Sequence, residues 1–132
     1  SGVEEPARDA RTLAAKRGGT GVLCQGDVSR EDDVKRIVSV CTQELGGLDV
    51  LVNNAGITAF IPFSDLDKAD AGVWRRLYEV NVMGSFFCAR EAAKAMGDKG
   101  GVIVNVASVA GHRPNASSIP YAVTKAGVLH LT

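Results

Sequence analysis

The sequence has few aromatic residues, few cysteines, no excess of charge and no long apolar run. Lysine plus arginine and aspartate plus glutamate each number 15, so the composition favours neither a nucleic acid nor an anionic membrane as a partner. No apolar stretch approaches the ~18–20 residues of a membrane span. The three cysteines, Cys24, Cys41 and Cys88, are scattered and form no C-x-x-C pair, which predicts buried thiols and no metal site.

The composition that remains is that of an ordinary globular protein. Hydrophobic residues make up 45% and charged residues 23% of the 132 residues, which predicts a single domain over residues 1–132 with a core of its own. The N-terminal segment does not resemble a secretion leader, and the cysteines are odd in number. We therefore expect the reducing environment of the cytoplasm.

Short apolar runs alternate along the chain with helical patterns. Strands are predicted at 21–28, 48–56 and 102–107, and helices within 1–17, over 29–45, over 70–96 and from 121 onward. Ser29 is predicted to cap the second helix, and Gly46 to end it. Strands that alternate with helices indicate an α/β fold, namely a doubly wound parallel sheet with helices on both faces.

Tyr121 and Lys125 are four residues apart in a predicted helix, so their side chains share one face. A free phenol has a pKa of about 10, and a nearby ammonium lowers that pKa. A tyrosine tuned in this way can act as a general acid or base. The alternative is an ordinary solvated helix face. Ser108 follows the third predicted strand, and ligands of open α/β sheets bind at the carboxyl ends of strands.

A set of polar residues and short segments stands along the chain in a characteristic order: Asp27, Asn53-Asn-Ala-Gly56, Asn81, Ser108 and Tyr121-x-x-x-Lys125. Together with the segment 104–111, this set resembles the short-chain dehydrogenase/reductase family, and 3-oxoacyl-thioester reductases within it. The spacings agree as well, because Ser108 lies 13 residues before Tyr121 and Asn81 lies 27 residues before Ser108. Ala107 stands where a second serine is common.

The resemblance implies an NAD(P)-dependent oxidoreductase that interconverts a ketone and a secondary alcohol by hydride transfer. Tyr121 would be the acid or base, and Lys125 would lower its pKa and bind the nicotinamide ribose. Ser108 would bind the substrate oxygen, and Asn81 would hold a water of a proton relay. The partners implied are a small carbonyl or alcohol substrate and further copies of the chain, as a tetramer or dimer.

The resemblance also implies a set of cofactor contacts besides Tyr121 and Lys125. Asp27 and the backbone of Val28 would meet the adenine ring. Asn53, Ala55 and Gly56 would line the adenosine ribose and the nearby part of the cofactor. NAD and NADP both remain open, because the residues that decide between them would lie before the first residue of this sequence.

The resemblance covers the chain from about residue 20. Family members begin with a strand, a Gly-rich turn and a helix that hold the cofactor pyrophosphate, and nothing here matches them. We therefore expect this chain to be the central part of a longer protein. Two other hypotheses stay open, a non-catalytic binding or scaffold protein on the same fold and an inert fragment of such an enzyme. The intact Asn/Ser/Tyr/Lys set speaks against the first.

Overall fold

The computed structural model describes residues 4–113 and 117–132, and side chains from residue 8 onward within those ranges. The helices are α1 (Glu4–Lys16), α2 (Glu31–Leu45), α3 (Ala71–Tyr78), α4 (Gly84–Met96) and α5 (Ile119–Leu131), and the strands are β1 (Val50–Asn53) and β2 (Val102–Asn105). A π-helical segment, Glu79–Met83, joins α3 to α4, and 3-10 turns lie at Leu66–Lys68, Gly97–Lys99 and Val109–Gly111. No helix in the described part of the chain has the length and apolarity that a membrane span requires.

The two strands pair in parallel, with Val50 opposite Val102 and Asn53 opposite Asn105. The ladder continues one residue further, where the Val106 N–H donates to the Asn53 oxygen at 2.9 Å. Because the strands are parallel, their carboxyl ends meet at one edge of the sheet. The segments that follow β1 and β2 therefore start side by side, and the predicted parallel α/β arrangement is confirmed for this pair.

The hydrophobic core lies between α2, α4 and the sheet. Val34 of α2 packs with Phe87 and Cys88 of α4, and Val28 and Leu51 close the cluster from the loop before α2 and from β1. Burial raises the pKa of the Cys88 thiol, as expected for a buried cysteine. Cys24 and Cys41 are only partly buried, so the prediction of buried thiols holds for Cys88 alone.

The strand predicted at 21–28 does not form. Residues 19–27 have neither helical nor strand structure, and Val22 and Leu23 are exposed. A strand requires a neighbour whose backbone satisfies its N–H and C=O groups. In the described ranges no segment pairs with residues 21–28, and this prediction is wrong for the structure.

The strands predicted at 48–56 and 102–107 are confirmed, with the shorter bounds given above. Their predicted burial is only half right, because Val50, Val52, Val102 and Val104 are exposed on one side of the sheet. The described helices cover the opposite side, where Leu51 packs against the core.

The N-cap of the second helix lies one residue later than predicted, at Arg30 instead of Ser29. Arg30 occupies the cap position without a side-chain hydrogen bond. The backbone N–H and the hydroxyl of Ser29 both donate to Asp27 Oδ1 instead. Three acidic residues in the first turn of α2 favour the helix electrostatically. Gly46 ends α2 as predicted, with a φ of 83°.

The long helix predicted over 70–96 is confirmed as α3, the π-helical segment and α4 in succession. Asp70 caps α3, since its side chain accepts from the Val73 N–H at 2.9 Å. The last helix begins at Ile119, two residues before the predicted start, with Pro120 in its first turn.

Candidate active site

Asn81 lies in the π-helical segment and is 1% exposed. Its Oδ1 accepts from the Ile57 N–H at 2.8 Å, and its Nδ2 donates to the Ile57 oxygen at 2.9 Å. Nδ2 also donates to Thr124 Oγ1 of α5 at 3.0 Å. Both amide hydrogens are thus used within the protein. One buried side chain therefore joins the π-helical segment, the loop after β1 and α5.

Lys125 is 6% exposed, and its ammonium lies at the carboxyl end of β2. Its Nζ donates to the Val106 oxygen at 2.7 Å and lies 5.9 Å from the centroid of the Tyr121 ring. The predicted shared face of these two side chains is confirmed by this distance. Burial lowers the pKa of Lys125, because the low-polarity surroundings disfavour the charged form.

Ser108 follows β2 and caps the 3-10 turn at Val109–Gly111, where its Oγ accepts from the Ala110 N–H at 3.2 Å. As the acceptor in this bond, the hydroxyl keeps its proton for another partner. The turn packs against α5 through Gly111. A Cβ on Gly111 would lie 2.8 Å from the Lys125 carbonyl carbon and 2.9 Å from the Ala126 nitrogen. The segment that carries Ser108 thus contacts both the backbone and the ammonium of Lys125.

Several of the predicted cofactor residues line one small cavity. The cavity has a volume of about 170 Å³, and its wall includes Val28, Asn53 and Ala55. The Asn53 amide faces inward, since its Nδ2 donates to the Ser85 oxygen at 3.1 Å and to Asn105 Oδ1 at 2.9 Å. These partners satisfy the polar side chain that the sequence places directly after an apolar run.

Gly56 approaches the Asn81 and Lys125 side chains. A Cβ at this position would lie 3.3 Å from Asn81 Oδ1 and 3.5 Å from Lys125 Nζ. Gly84 makes a similar approach to Val28, where a Cβ would lie 2.7 Å from Val28 Cγ2. These two glycines allow the loop after β1 and the loop before α2 to lie close to the helices.

Asp27 lies just before Val28 and is held by Ser29 and Arg76. Its Oδ1 accepts from the Ser29 N–H at 2.9 Å and from the Ser29 hydroxyl at 2.7 Å, and its Oδ2 lies 3.0 Å from Arg76 Nη2. The Ser29 hydroxyl, the Ser29 N–H and the Arg76 guanidinium together lower the pKa of Asp27 to about 2.

Apart from Val28, Asn53 and Ala55 at the cavity, the structure gathers the predicted residues into two groups. Gly56, Asn81, Tyr121 and Lys125 form one cluster, with Ser108 on the turn packed against the same helix. Asp27 belongs to the second group, beside Ser29 and Arg76.

Sequence reasoning missed five contributors: Ile57, Arg76, Val106, Gly111 and Thr124. Ile57 and Val106 act through backbone atoms, and because every residue type has these atoms, the sequence gives no signal for such contacts. Thr124 is fully buried next to Lys125, and a polar residue on the inner face of an apolar helix was the available clue.

The chain belongs to the short chain dehydrogenase family, whose family model matches residues 2–132. The family membership and the Rossmann-like α/β fold inferred from the sequence are thereby confirmed.

Two curated relatives and one solved structure illustrate the match. The chain is 46% identical over 104 residues to a Streptomyces violaceoruber protein named as ketoacyl reductase 2 of the granaticin polyketide synthase, covering 78% of this chain and 42% of that protein. It is 41% identical over 128 residues to a 3beta-hydroxysteroid dehydrogenase of Mediterraneibacter gnavus, and the match covers 95% of this chain and 45% of that protein. The solved structure of a short-chain type dehydrogenase/reductase from Mycobacterium marinum superposes with a TM-score of 0.85 at 35% identity. The superposition covers 95% of this chain and 51% of that one. The chain thus spans about half the length of these relatives.

Proposed function

We propose that the full-length protein is an NAD(P)-dependent oxidoreductase that interconverts a ketone and a secondary alcohol, with Tyr121 as the acid or base. The observation that carries the proposal is the buried Lys125 ammonium, 5.9 Å from the Tyr121 ring on the same helix face. A cation in this position attracts the negative charge that develops on the tyrosine oxygen as its proton is transferred.

In the direction of reduction, the Tyr121 hydroxyl gives its proton to the substrate oxygen. Ser108 donates a hydrogen bond to the same oxygen and stabilises the negative charge that develops there. The nicotinamide, when bound, supplies the hydride chemistry. Lys125 holds a positive charge beside the Tyr121 ring and would bind the nicotinamide ribose. Oxidation of the alcohol uses the same groups with Tyr121 as the base.

Asn81 acts in this proposal through its backbone and its position. Its amide hydrogens are occupied by Ile57 and Thr124, so a relay water behind Lys125 would contact the Asn81 main-chain oxygen. That oxygen also accepts from the Ser85 hydroxyl at 2.8 Å.

The residues present fit a dinucleotide in the parts that this chain contains. Asp27 and the Val28 backbone bind the adenine, while Asn53, Ala55 and Gly56 line the adenosine ribose and the adjoining cofactor. The absence of a Cβ at Gly56, which leaves space beside Asn81 and Lys125, supports this assignment.

The proposal includes a small carbonyl or alcohol substrate, a cytoplasmic location and assembly with further copies of the chain. Exposed apolar side chains on the helices of the site support assembly, namely Tyr78, Phe86 and Val123. A light-scattering mass above that of one full-length chain tests it.

The experiment for the catalytic role is Tyr121→Phe in the full-length protein. We expect turnover with NADH or NADPH to be nearly lost, while the dissociation constant of the cofactor changes little. Tyr78→Phe is the matched control, because Tyr78 is exposed on α3 and is given no part in proton transfer or cofactor binding. Undiminished turnover in Tyr121→Phe would refute the assignment.

A further inference from the structure

Arg76, Ser29 and Asp27 form a closed set of hydrogen bonds between α3 and the loop before α2. Arg76 Nη1 donates to Ser29 Oγ at 2.9 Å, and Arg76 Nη2 lies 3.0 Å from Asp27 Oδ2. The Ser29 hydroxyl completes the set by donating to Asp27 Oδ1 at 2.7 Å. The carboxylate is therefore fixed in orientation from two sides.

A carboxylate can accept about four hydrogen bonds, two on each oxygen. The two donors of Ser29 fill Asp27 Oδ1, and Arg76 takes one position on Oδ2. Over residues 4–113 and 117–132 no further donor reaches this carboxylate. One acceptor position on Oδ2 is left, and the Asp27 side chain is 38% exposed, so a ligand can reach it. A pKa of about 2 keeps the group an acceptor at neutral pH.

We propose that Arg76 is a positioning residue that aims this remaining lone pair of Asp27 at the exocyclic amino group of the cofactor's adenine. The inference rests on the proposed function, which brings adenine to Asp27, and adds how the base is selected. An amino group at position 6 of the purine donates to Oδ2. A purine with an oxygen at that position presents an acceptor to an acceptor and loses the bond.

A purely structural tie is the competing explanation for the same contacts. The Arg76 and Asp27 side chains are 51% and 38% exposed, and ion pairs this open to solvent contribute little to stability. A structural tie also has no reason to distinguish one purine from another. Selectivity between bases is therefore the property that separates the two explanations.

The test measures kcat, KM and the calorimetric Kd of the full-length protein with NADH or NADPH, whichever it uses, and with the matching hypoxanthine dinucleotide. We expect the hypoxanthine form to bind about tenfold more weakly, which is the scale of one hydrogen bond to a charged group. Arg76→Gln should weaken binding of the adenine form by about the same factor, leave the hypoxanthine form nearly unchanged and alter kcat less than twofold.

Three further variants complete the design. Arg76→Lys keeps a cation beside Oδ2 and should restore part of the base selectivity, whereas Arg75→Gln removes the neighbouring exposed arginine of α3 and should leave it intact. Ser29→Ala loosens the carboxylate from its other side and should reduce the selectivity even if Arg76→Gln fails to fold.

Equal weakening of both cofactors in Arg76→Gln, or no change in either, would overturn the inference. The Kd values test the inference about Arg76 independently of the proposed function, because they measure cofactor binding and not turnover. A protein that binds the adenine form selectively through Arg76 but turns over no carbonyl supports the inference and contradicts the proposed oxidoreductase activity.

Discussion

The side chain of Asn81 makes two hydrogen bonds to the backbone of Ile57. Its Oδ1 accepts from the Ile57 N–H at 2.8 Å, and its Nδ2 donates to the Ile57 oxygen at 2.9 Å. An amide is one of the few side chains that can do so, because it presents a donor and an acceptor side by side. These hydrogen bonds fix the loop after β1 over Lys125, and Gly56 of this loop lies close to both the Asn81 and the Lys125 side chains. The position of this loop therefore depends on a residue in a π-helical segment 24 positions away along the chain.

Replacing Asn81 by alanine should lower the free energy of unfolding by about 2–4 kcal/mol, because two backbone groups of Ile57 and the Thr124 hydroxyl lose a buried partner. Turnover should fall as well, since the loop is no longer held over Lys125. Urea unfolding and kcat of the full-length protein measure the two effects. Asn54→Ala, at an exposed asparagine of the same loop, is the stability control. Equal losses in both variants would contradict the role given to the Ile57 contacts.

Replacing Gly111 by alanine should reduce kcat about tenfold or more, because catalysis is sensitive to displacements of order 1 Å in its reacting groups. The new Cβ would meet the backbone of α5 at Lys125 and Ala126, which cannot move aside independently, so α5 and the Ser108 turn must separate. The cofactor KM should change much less. Gly47→Ala is the matched control, since no atom lies within 4 Å of a Cβ there. A kcat like that of the Gly47 variant would show that α5 tolerates the displacement.

The depressed pKa of Asp27 predicts a pH-dependent contribution to stability. Its pKa is about 2 in the folded state against an ordinary value of 3.8, so the ionised form is favoured by folding. The contribution is complete above about pH 4 and is lost as the pH falls towards 2. It should be below about 1 kcal/mol, because the pair with Arg76 is open to solvent.

Urea unfolding of the wild type and of Asp27→Asn, from pH 7 down to pH 3, measures this contribution. We expect the wild type to be the more stable at pH 7 and the difference to narrow below pH 4. A difference that stays constant across the range would mean that charge on Asp27 does not stabilise the fold.

Local geometry made part of the site predictable from sequence. The shared face of Tyr121 and Lys125 follows from helix periodicity alone, and it requires no knowledge of what surrounds the helix. The position of Ser108 at the end of β2 follows equally from an apolar run that stops at a polar residue. Gly46 ends α2 because a left-handed residue there favours glycine.

Contacts between distant segments were not predictable in this way. The Arg76–Asp27 pair joins residues 49 positions apart, and nothing in the pattern around Arg76 distinguishes it from Arg75. Residues 21–28 have the apolar character of a strand, but strand formation depends on a hydrogen-bonded neighbour that pattern alone does not supply. Ser29 fits an N-cap, yet its hydroxyl bonds to a carboxylate two residues before it. In each case a tertiary partner outweighs a local preference.

The π-helical segment Glu79–Met83 makes the length of this helix as important as its composition. A π turn accommodates one residue more than an α turn does. Because the extra residue is taken up within the π turn, loss of a single residue here would let the helix run on as regular α with its later side chains on nearly the same face. Phe87 and Cys88 would then stay in the core that they share with Val34, whereas the side chains of the segment itself would turn and Asn81 would lose its position against Ile57. A deletion in this stretch would therefore affect the candidate active site more than the core.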